Sequence, residues 1–252
     1  MKKHVWLVTL AMLVIASVFI LSMSNRPAFQ VLVVISKAKD HIRMMESAGL
    51  FLEKIAAENN FDVLVTDDSS QINDENLKKY NVFVQLQLAP FDMSSKQQAA
   101  LQRFAEEGKG WVGIHAAGLT GKSFMKPTRT YWQWFEDFMG GIEYSPHPAF
   151  QKGTVLIEDK NHPVTKNLPD KFEVSDEWYE FNKSPRANVH VLALADESTY
   201  TQKKPMGDHP IIWTNEHYHR MVYIGIGHDP SLCSDANFET LVRNSILWAA
   251  EK

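Results

Sequence analysis

The run Gly110-Trp111-Val112-Gly113-Ile114-His115-Ala116-Ala117-Gly118 carries an apolar stretch into a histidine and then into small residues. Such a run predicts a buried strand ending in a sharp bend, with the His115 side chain held at the carboxyl edge of a sheet, where ligands bind in α/β proteins. The spacing Gly113-x-His115-x-x-Gly118 has the shape of a nucleophile elbow with an imidazole where Ser or Cys would stand. Other polar residues also follow apolar runs. His41 comes after the first, Asp176 and Glu177 close Phe172-Glu173-Val174-Ser175-Asp176-Glu177, and His228 follows Tyr223-Ile224-Gly225-Ile226-Gly227. Residues that follow parallel strands lie on one edge, so these groups can share a pocket. His147, in Ser145-Pro146-His147-Pro148, joins them without a strand to set its direction.

Imidazoles beside a carboxylate can do two things. Neutral ring nitrogens and a carboxylate ligate a divalent metal, which polarises a carbonyl or activates water. Without metal the same groups serve as general acid and base, because histidine titrates near neutrality. Both assignments fall on His115, Glu177 and His228, with His41, His147 and Asp176 as substrate contacts. No His-Glu-x-x-His ligand motif occurs, so the metal reading rests on convergence in space. A strand end can equally place Asp176 and Glu177 in water. His162, His190, His209, His217 and His219 read as solvated or structural. Trp132, Trp134, Trp178 and Tyr179 fit a core, although the flat apolar faces of all four beside a polar pocket would suit a sugar ring, and Trp134 and Trp178 are the expected substrate contacts among them.

These side chains need a frame. Phe29 to Ser36 is a continuous β-branched run of the kind a doubly covered parallel strand needs. A helical stripe follows from Ile42 to Ile55, capped by Asp40. Phe61 to Thr66 predicts a second strand, Glu75 to Tyr80 a short helix, Val82 to Leu86 a third strand, and Ser94-Ser95-Lys96-Gln97 a capping box opening another helix. Trp111 to His115 is the fourth strand. Strands alternating with helices at these spacings specify an α/β doubly wound, mostly parallel sheet with helices on both faces. Beyond an aromatic helix at Tyr131 to Met139, strands are expected at Thr154 to Glu158, Phe172 to Tyr179, Val189 to Ala195, Ile211 to Thr214 and Met221 to Ile226, and a last helix at Ala236 to Ala250.

The amino terminus differs from the rest. Lys2, Lys3 and His4 precede an almost wholly apolar stretch from Val5 to Leu21, and Ser22-Met23-Ser24 supplies small residues, the pattern of an export signal over residues 1–24, cleaved or kept as an anchor. One domain over 29–252 and an extracytoplasmic, periplasmic location are expected, with membrane contact only through an uncleaved segment. The net charge is −4, and −6 once Lys2 and Lys3 are removed, which invites neither nucleic acid nor an anionic surface. Cys233 is the single cysteine, so no intramolecular disulfide can form, and its polar loop reads as incidental.

Taken in order, Gly110 to Ala117, Trp134-Phe135 with Gly140-Gly141, His147-Pro148, Asn161-His162-Pro163-Val164-Thr165, Asp176-Glu177-Trp178-Tyr179, Pro210 to Trp213 and Gly227-His228 resemble the ThuA-like (trehalose utilisation) family. The resemblance implies a flavodoxin-like fold related to class I glutamine amidotransferases. Those enzymes carry a cysteine nucleophile at the elbow. His115 stands there in this chain, which argues against amidotransferase chemistry. The resemblance also links the chain to pathways that oxidise a disaccharide or glycoside to its 3-keto form. The expected function is an exported carbohydrate-active enzyme cleaving a glycoside or 3-keto-glycoside by hydrolysis or elimination, with or without a divalent metal. A non-catalytic sugar-binding or accessory protein is the alternative.

Overall fold

The computed structural model describes residues 27–39, 42–122, 131–218 and 220–251. The expected export signal, the Asp40 cap, His41 and His219 lie outside the described residues. Alternation along the first strand shows how the chain builds its layers. In β1 (Gln30–Ile35), Val31, Val33 and Ile35 join one buried cluster while Leu32 and Val34 join another, so apolar side chains leave both faces of the strand. Then come α1 (Ile42–Glu58), β2 (Asp62–Thr66), α2 (Asp74–Leu77), β3 (Val82–Leu86), α3 (Ser95–Glu106) and β4 (Gly110–Ile114), in the predicted rhythm. The Ser94–Gln97 capping box forms with both its bonds.

The second half supplies α4 (Gln133–Phe138), β5 (Tyr144–Ser145), β6 (Gln151–Ile157), β7 (Lys171–Asp176), β8 (Glu180–Phe181), β9 (His190–Ala195), β10 (Pro210–Thr214), β11 (Met221–Ile224) and α5 (Ala236–Ala250). One nine-stranded sheet has the order β2-β1-β3-β4-β11-β10-β9-β6-β7, and β5 pairs with β8 apart from it. α1 and α5 cover one face through Leu52, Ile55, Leu241 and Ile246, and α3 and α4 cover the other through Leu101, Phe104, Phe135 and Phe138.

Pairing is parallel from β2 through β11 and antiparallel from β11 through β7. Alternate strands in the antiparallel half therefore return to the common direction, and only β10 and β6 oppose it. Thus β7 delivers Asp176 to the same edge as β4 and β11, although it does not lie in the parallel part of the sheet. Two strands are shorter than the sequence suggests. Phe172 to Tyr179 breaks after Asp176, where the Asp176 carboxylate takes the Glu177 amide, and Met221 to Ile226 leaves the ladder after Ile224.

The far half of the sheet is strongly curled. β7 stands five ladder steps from β4, which is about 24 Å across a flat sheet at about 4.8 Å per strand. His115 Nδ1, just past β4, is nevertheless 3.6 Å from Asp176 Oδ1 at the end of β7. Twist accumulates strand by strand, and register shifts in β10 against β9 add to it.

Candidate active site

His115 begins a short 3-10 turn, His115–Gly118, in the left-handed backbone region at φ 53°. That conformation is uncommon for a residue with a Cβ and is held here by its neighbours. The fully buried Tyr223 hydroxyl donates to the His115 carbonyl at 2.9 Å, and a Cβ at Gly118 would overlap that hydroxyl, which requires the glycine. The His115 ring is fully buried. Its Nδ1 lies 3.1 Å from the Gly225 carbonyl, an acceptor only, so Nδ1 carries the proton in the neutral ring. The Nε2 lone pair then faces Glu177 Oε2 at 3.5 Å.

Asp176 is the hidden partner. It is fully buried, with Oδ2 accepting from the amides of Gly227 (2.8 Å) and His228 (3.3 Å) and Oδ1 from that of Glu177 (2.8 Å). Burial pushes its carboxyl up, against the His115 charge and these three amides. It thereby pins two catalytic candidates by their backbones. Gly227, at φ 142°, lies where a Cβ would overlap Ile114, allowing the chain to cross β4 closely and bring His228 over the site.

Glu177 is the meeting point. Its Oε2 is 3.5 Å from His115 Nε2, 3.2 Å from His228 Nδ1 and 3.5 Å from His147 Nε2. Half-burial pushes the carboxyl up, but once the rings are protonated the hydrogen bond from His115 Nε2 and the charges of His228, His147 and His115 outweigh it and hold Glu177 below the usual carboxylate range. His147 Nδ1 donates to the Pro148 carbonyl at 2.6 Å, so its Nε2 is also a lone pair in the neutral ring. The side chains of Glu177, His147 and His228 are 21, 27 and 20 % exposed, while His115 and Asp176 are closed to solvent, so a substrate meets the first three from outside.

The structure places Tyr179, which the sequence offered as a core or sugar-facing ring, at the site, and adds Gln87 and Phe150, which the sequence reading missed. The Tyr179 ring lies between two imidazoles, 4.1 Å from the His115 ring and 5.4 Å from that of His147. Gln87, at φ 53° and fully buried, donates through Nε2 to the Gly227 carbonyl and to the His228 carbonyl at 3.0 Å. Phe150 is half exposed, with its ring 6.1 Å from that of His228. No sequence motif announces these contacts. A polar Gln87 directly after the apolar strand β3 was the available sign.

Two expected sugar platforms lie elsewhere. Trp178 is fully buried, stacked on Tyr200 and donating to the Gln151 carbonyl, so it presents no face to a ligand. Trp134 packs on Phe138 and Tyr218 within the aromatic layer beside α4. His209 is buried between Glu197 and the Tyr179 carbonyl, a structural role. A second histidine group, His162, His190 and Glu216, gathers where β6, β9 and β10 meet at the opposite edge. There His190 faces Asp159 at 2.9 Å and Glu216 at 3.4 Å, and His162 Nδ1 accepts from the Val164 amide, which leaves the proton on its Nε2. That arrangement is an ion-pair cluster with a helix cap.

His115, Glu177 and His228 each offer a ligand atom within 4.8 Å of the others. With the His115 tautomer set by Gly225, the donor set fits a borderline divalent ion as well as it fits proton transfer.

A curled, mostly parallel sheet with a histidine elbow and a carboxylate ringed by imidazoles defines an α/β protein of the flavodoxin-like class with an imidazole at the elbow. The chain belongs to the ThuA family, described as trehalose utilisation, whose family model matches residues 30–249. It is similar to a ThuA-like protein from Bacteroides uniformis ATCC 8492, with 32 % identity over 89 % of this chain and 92 % of that one and a TM-score of 0.79. A ThuA-like protein from Parabacteroides merdae ATCC 43184 matches at 17 % identity over 89 and 90 % of the two chains, with a TM-score of 0.64. A GMP synthase protein from Thermoplasma acidophilum shares the fold at 13 % identity over 88 and 94 %, with a TM-score of 0.54. No curated protein matches the chain.

Proposed function

We propose that the protein is an enzyme of sugar utilisation that cleaves a glycoside or its 3-keto derivative by acid–base chemistry at Glu177. The observation that carries this reading is the single Glu177 oxygen placed 3.2 to 3.5 Å from three imidazoles. In a 3-keto-glycoside the carbonyl acidifies the hydrogen on the neighbouring C2. Glu177, held ionised and open to the substrate, removes that proton, and the buried His115 Nε2 lone pair behind it takes the proton on from Glu177. The electron pair forms the C1–C2 double bond as the C1–O bond breaks, and the His228 imidazolium gives its proton to the departing oxygen. Water adding across the new double bond completes hydrolysis; without that addition the reaction is elimination. Developing charge on the 3-keto oxygen is stabilised by a protonated neighbouring imidazole such as His147.

His115, Glu177 and His228 would also hold a divalent metal, which when bound would polarise the substrate carbonyl. Asp176 and Gly225 would then orient the His115 ring, as outer partners orient metal-bound histidines. Export to an extracytoplasmic compartment belongs to the same proposal and rests on the sequence of residues 1–24.

Incubation with a 3-keto-glycoside is expected to release the aglycone, and His115→Ala to lower the rate by about 100-fold or more. Unchanged turnover in that variant rejects the scheme. Elemental analysis of the same proteins and of His228→Ala tests the metal: a stoichiometric ion lost from both variants identifies the ligands, and full activity of metal-free protein excludes the ion.

A further inference from the structure

Beside His147 the surface opens into a cleft of about 400 Å3, lined by His147, Pro148, Gln151, Thr201, Gln202 and Lys203. A volume in the range of small-molecule sites makes it a candidate for ligand rather than for a protein partner. Two relationships tie it to the reacting groups. His147 belongs to both, since the ring that walls the cleft points Nε2 at Glu177 Oε2. Gln151, on the cleft floor, is the register partner of Asp176 in the β6–β7 pair. Register partners in an antiparallel pair stand about 5 Å apart, so the cleft begins one strand inward, on β6, from the residue that precedes Glu177.

The far wall is fixed before any ligand arrives. The Gln151 side-chain amide both donates to the Thr201 carbonyl (3.0 Å) and accepts from the Thr201 amide (2.9 Å). Glu180, fully buried, accepts from the main-chain amides of Lys203 (2.7 Å) and Lys204 (2.6 Å). A carboxylate sunk in the core to hold two loop amides keeps the segment from 201 to 204 in place, so little ordering entropy is lost on binding. The exposed Thr201 and Lys203 bring a hydroxyl and an ammonium to the lining, and Pro148 and Ala149 bring apolar surface. Hydroxyl and ammonium donors together with apolar surface, and no carboxylate among the lining residues, match a neutral polyhydroxylated ring.

We infer that this cleft is the leaving-group subsite: it receives the second sugar ring of a two-ring glycoside whose first ring reacts at Glu177. The inference rests on the proposed acid–base reading for which ring reacts, and it adds where the other ring sits. The distance of one strand between Asp176 and Gln151 fits two rings joined by one bridging oxygen. His147 stands at that bridge, beside the bond that breaks.

The test uses two probes with the same scissile bond, methyl 3-ketoglucoside and a glucosyl 3-ketoglucoside, and measures calorimetric affinity in a His115→Ala background so that turnover does not intervene. The two-ring probe is expected to bind about tenfold more tightly, a difference of about 1.4 kcal/mol. Ala149→Trp, which fills the cleft from an exposed loop position, is expected to bring that ratio close to one, and Lys203→Ala to reduce it part of the way. Equal affinity for both probes, or a ratio unmoved by Ala149→Trp in a protein of unchanged melting temperature, overturns the subsite. Failure of the parent protein to cleave either probe instead overturns the acid–base reading, and the affinity ratio then still decides whether the cleft binds the second ring.

Discussion

Gln87 and His115 end neighbouring parallel strands in the same left-handed conformation, each at φ 53°, one residue past the paired Leu86 and Ile114. The Gln87 amide reaches across to the carbonyls of Gly227 and His228 after β11, so two strained strand ends together set the position of a third. Both strand ends are held by their contacts, since a non-glycine in this region is retained only where its surroundings enforce it.

Replacing His115 by Gly rather than Ala separates chemistry from strain. The glycine accepts the left-handed backbone, so the melting temperature is expected to stay within a few degrees of the parent. Turnover is expected to fall about 100-fold or more, because the imidazole is gone. His115→Ala keeps the backbone cost and is expected to melt below His115→Gly. Differential scanning calorimetry with a rate assay on both proteins checks this.

Gln87→Met keeps the length of the side chain and removes its donor. Two carbonyls lose a buried partner, which costs about 1–3 kcal/mol. Turnover is expected to fall with KM little changed, since His228 loses its backbone clamp while the groups facing the substrate remain. Steady-state kinetics with a melting curve tests it, and a raised KM with unchanged kcat would place Gln87 in substrate binding.

Glu177 gives stability a pH dependence of known sign. Its carboxyl is lowered in the folded protein, so its contribution is complete above the ordinary carboxylate range and is lost as pH falls through the lowered value. The melting-temperature difference between the parent and Glu177→Gln is therefore expected to be largest near neutrality and to shrink below about pH 4. Thermal melts across pH 3 to 7 measure it, and a difference that grows on acidification would contradict the assignment.

Asp176→Asn tests the buried clamp. An Asn amide has one accepting oxygen, so its NH2 group must face either the Glu177 amide or those of Gly227 and His228. Removing the charge relieves the burial that raises the Asp176 carboxyl, but donors left facing donors cost about 1–3 kcal/mol, and that loss is expected to dominate. Chemical denaturation is expected to show destabilisation, and turnover is expected to fall because Glu177 and His228 shift together.

Much of this arrangement is legible in the sequence. The β-branched runs give the strands, and the polar residues directly after them, His115, Glu177 and His228, converge as expected, because a strand's direction decides which edge its last residue meets. For Asp176 and Glu177 the edge is right although β7 reaches it through antiparallel partners, a path that no local pattern reveals. Gln87 and Phe150 escape such reading, and the place of Tyr179 between two imidazoles goes beyond the core or sugar-facing ring the sequence offers, since these positions depend on contacts across the fold. Trp178 shows the reverse: it follows the site carboxylates in sequence, but beyond the end of β7 the chain turns the indole inward, against Tyr200.

The curl of the sheet makes the site depend on every strand from β11 to β7. The Asp176–Gly227 bond joins chain positions 51 residues apart across the half of the sheet that β6, β9 and β10 build. Refolding followed by backbone signal is therefore expected to run ahead of recovered ligand binding. Binding competence reports on the integrity of the distant edge strand β7, and a lesion there would silence the protein while its helices still looked intact.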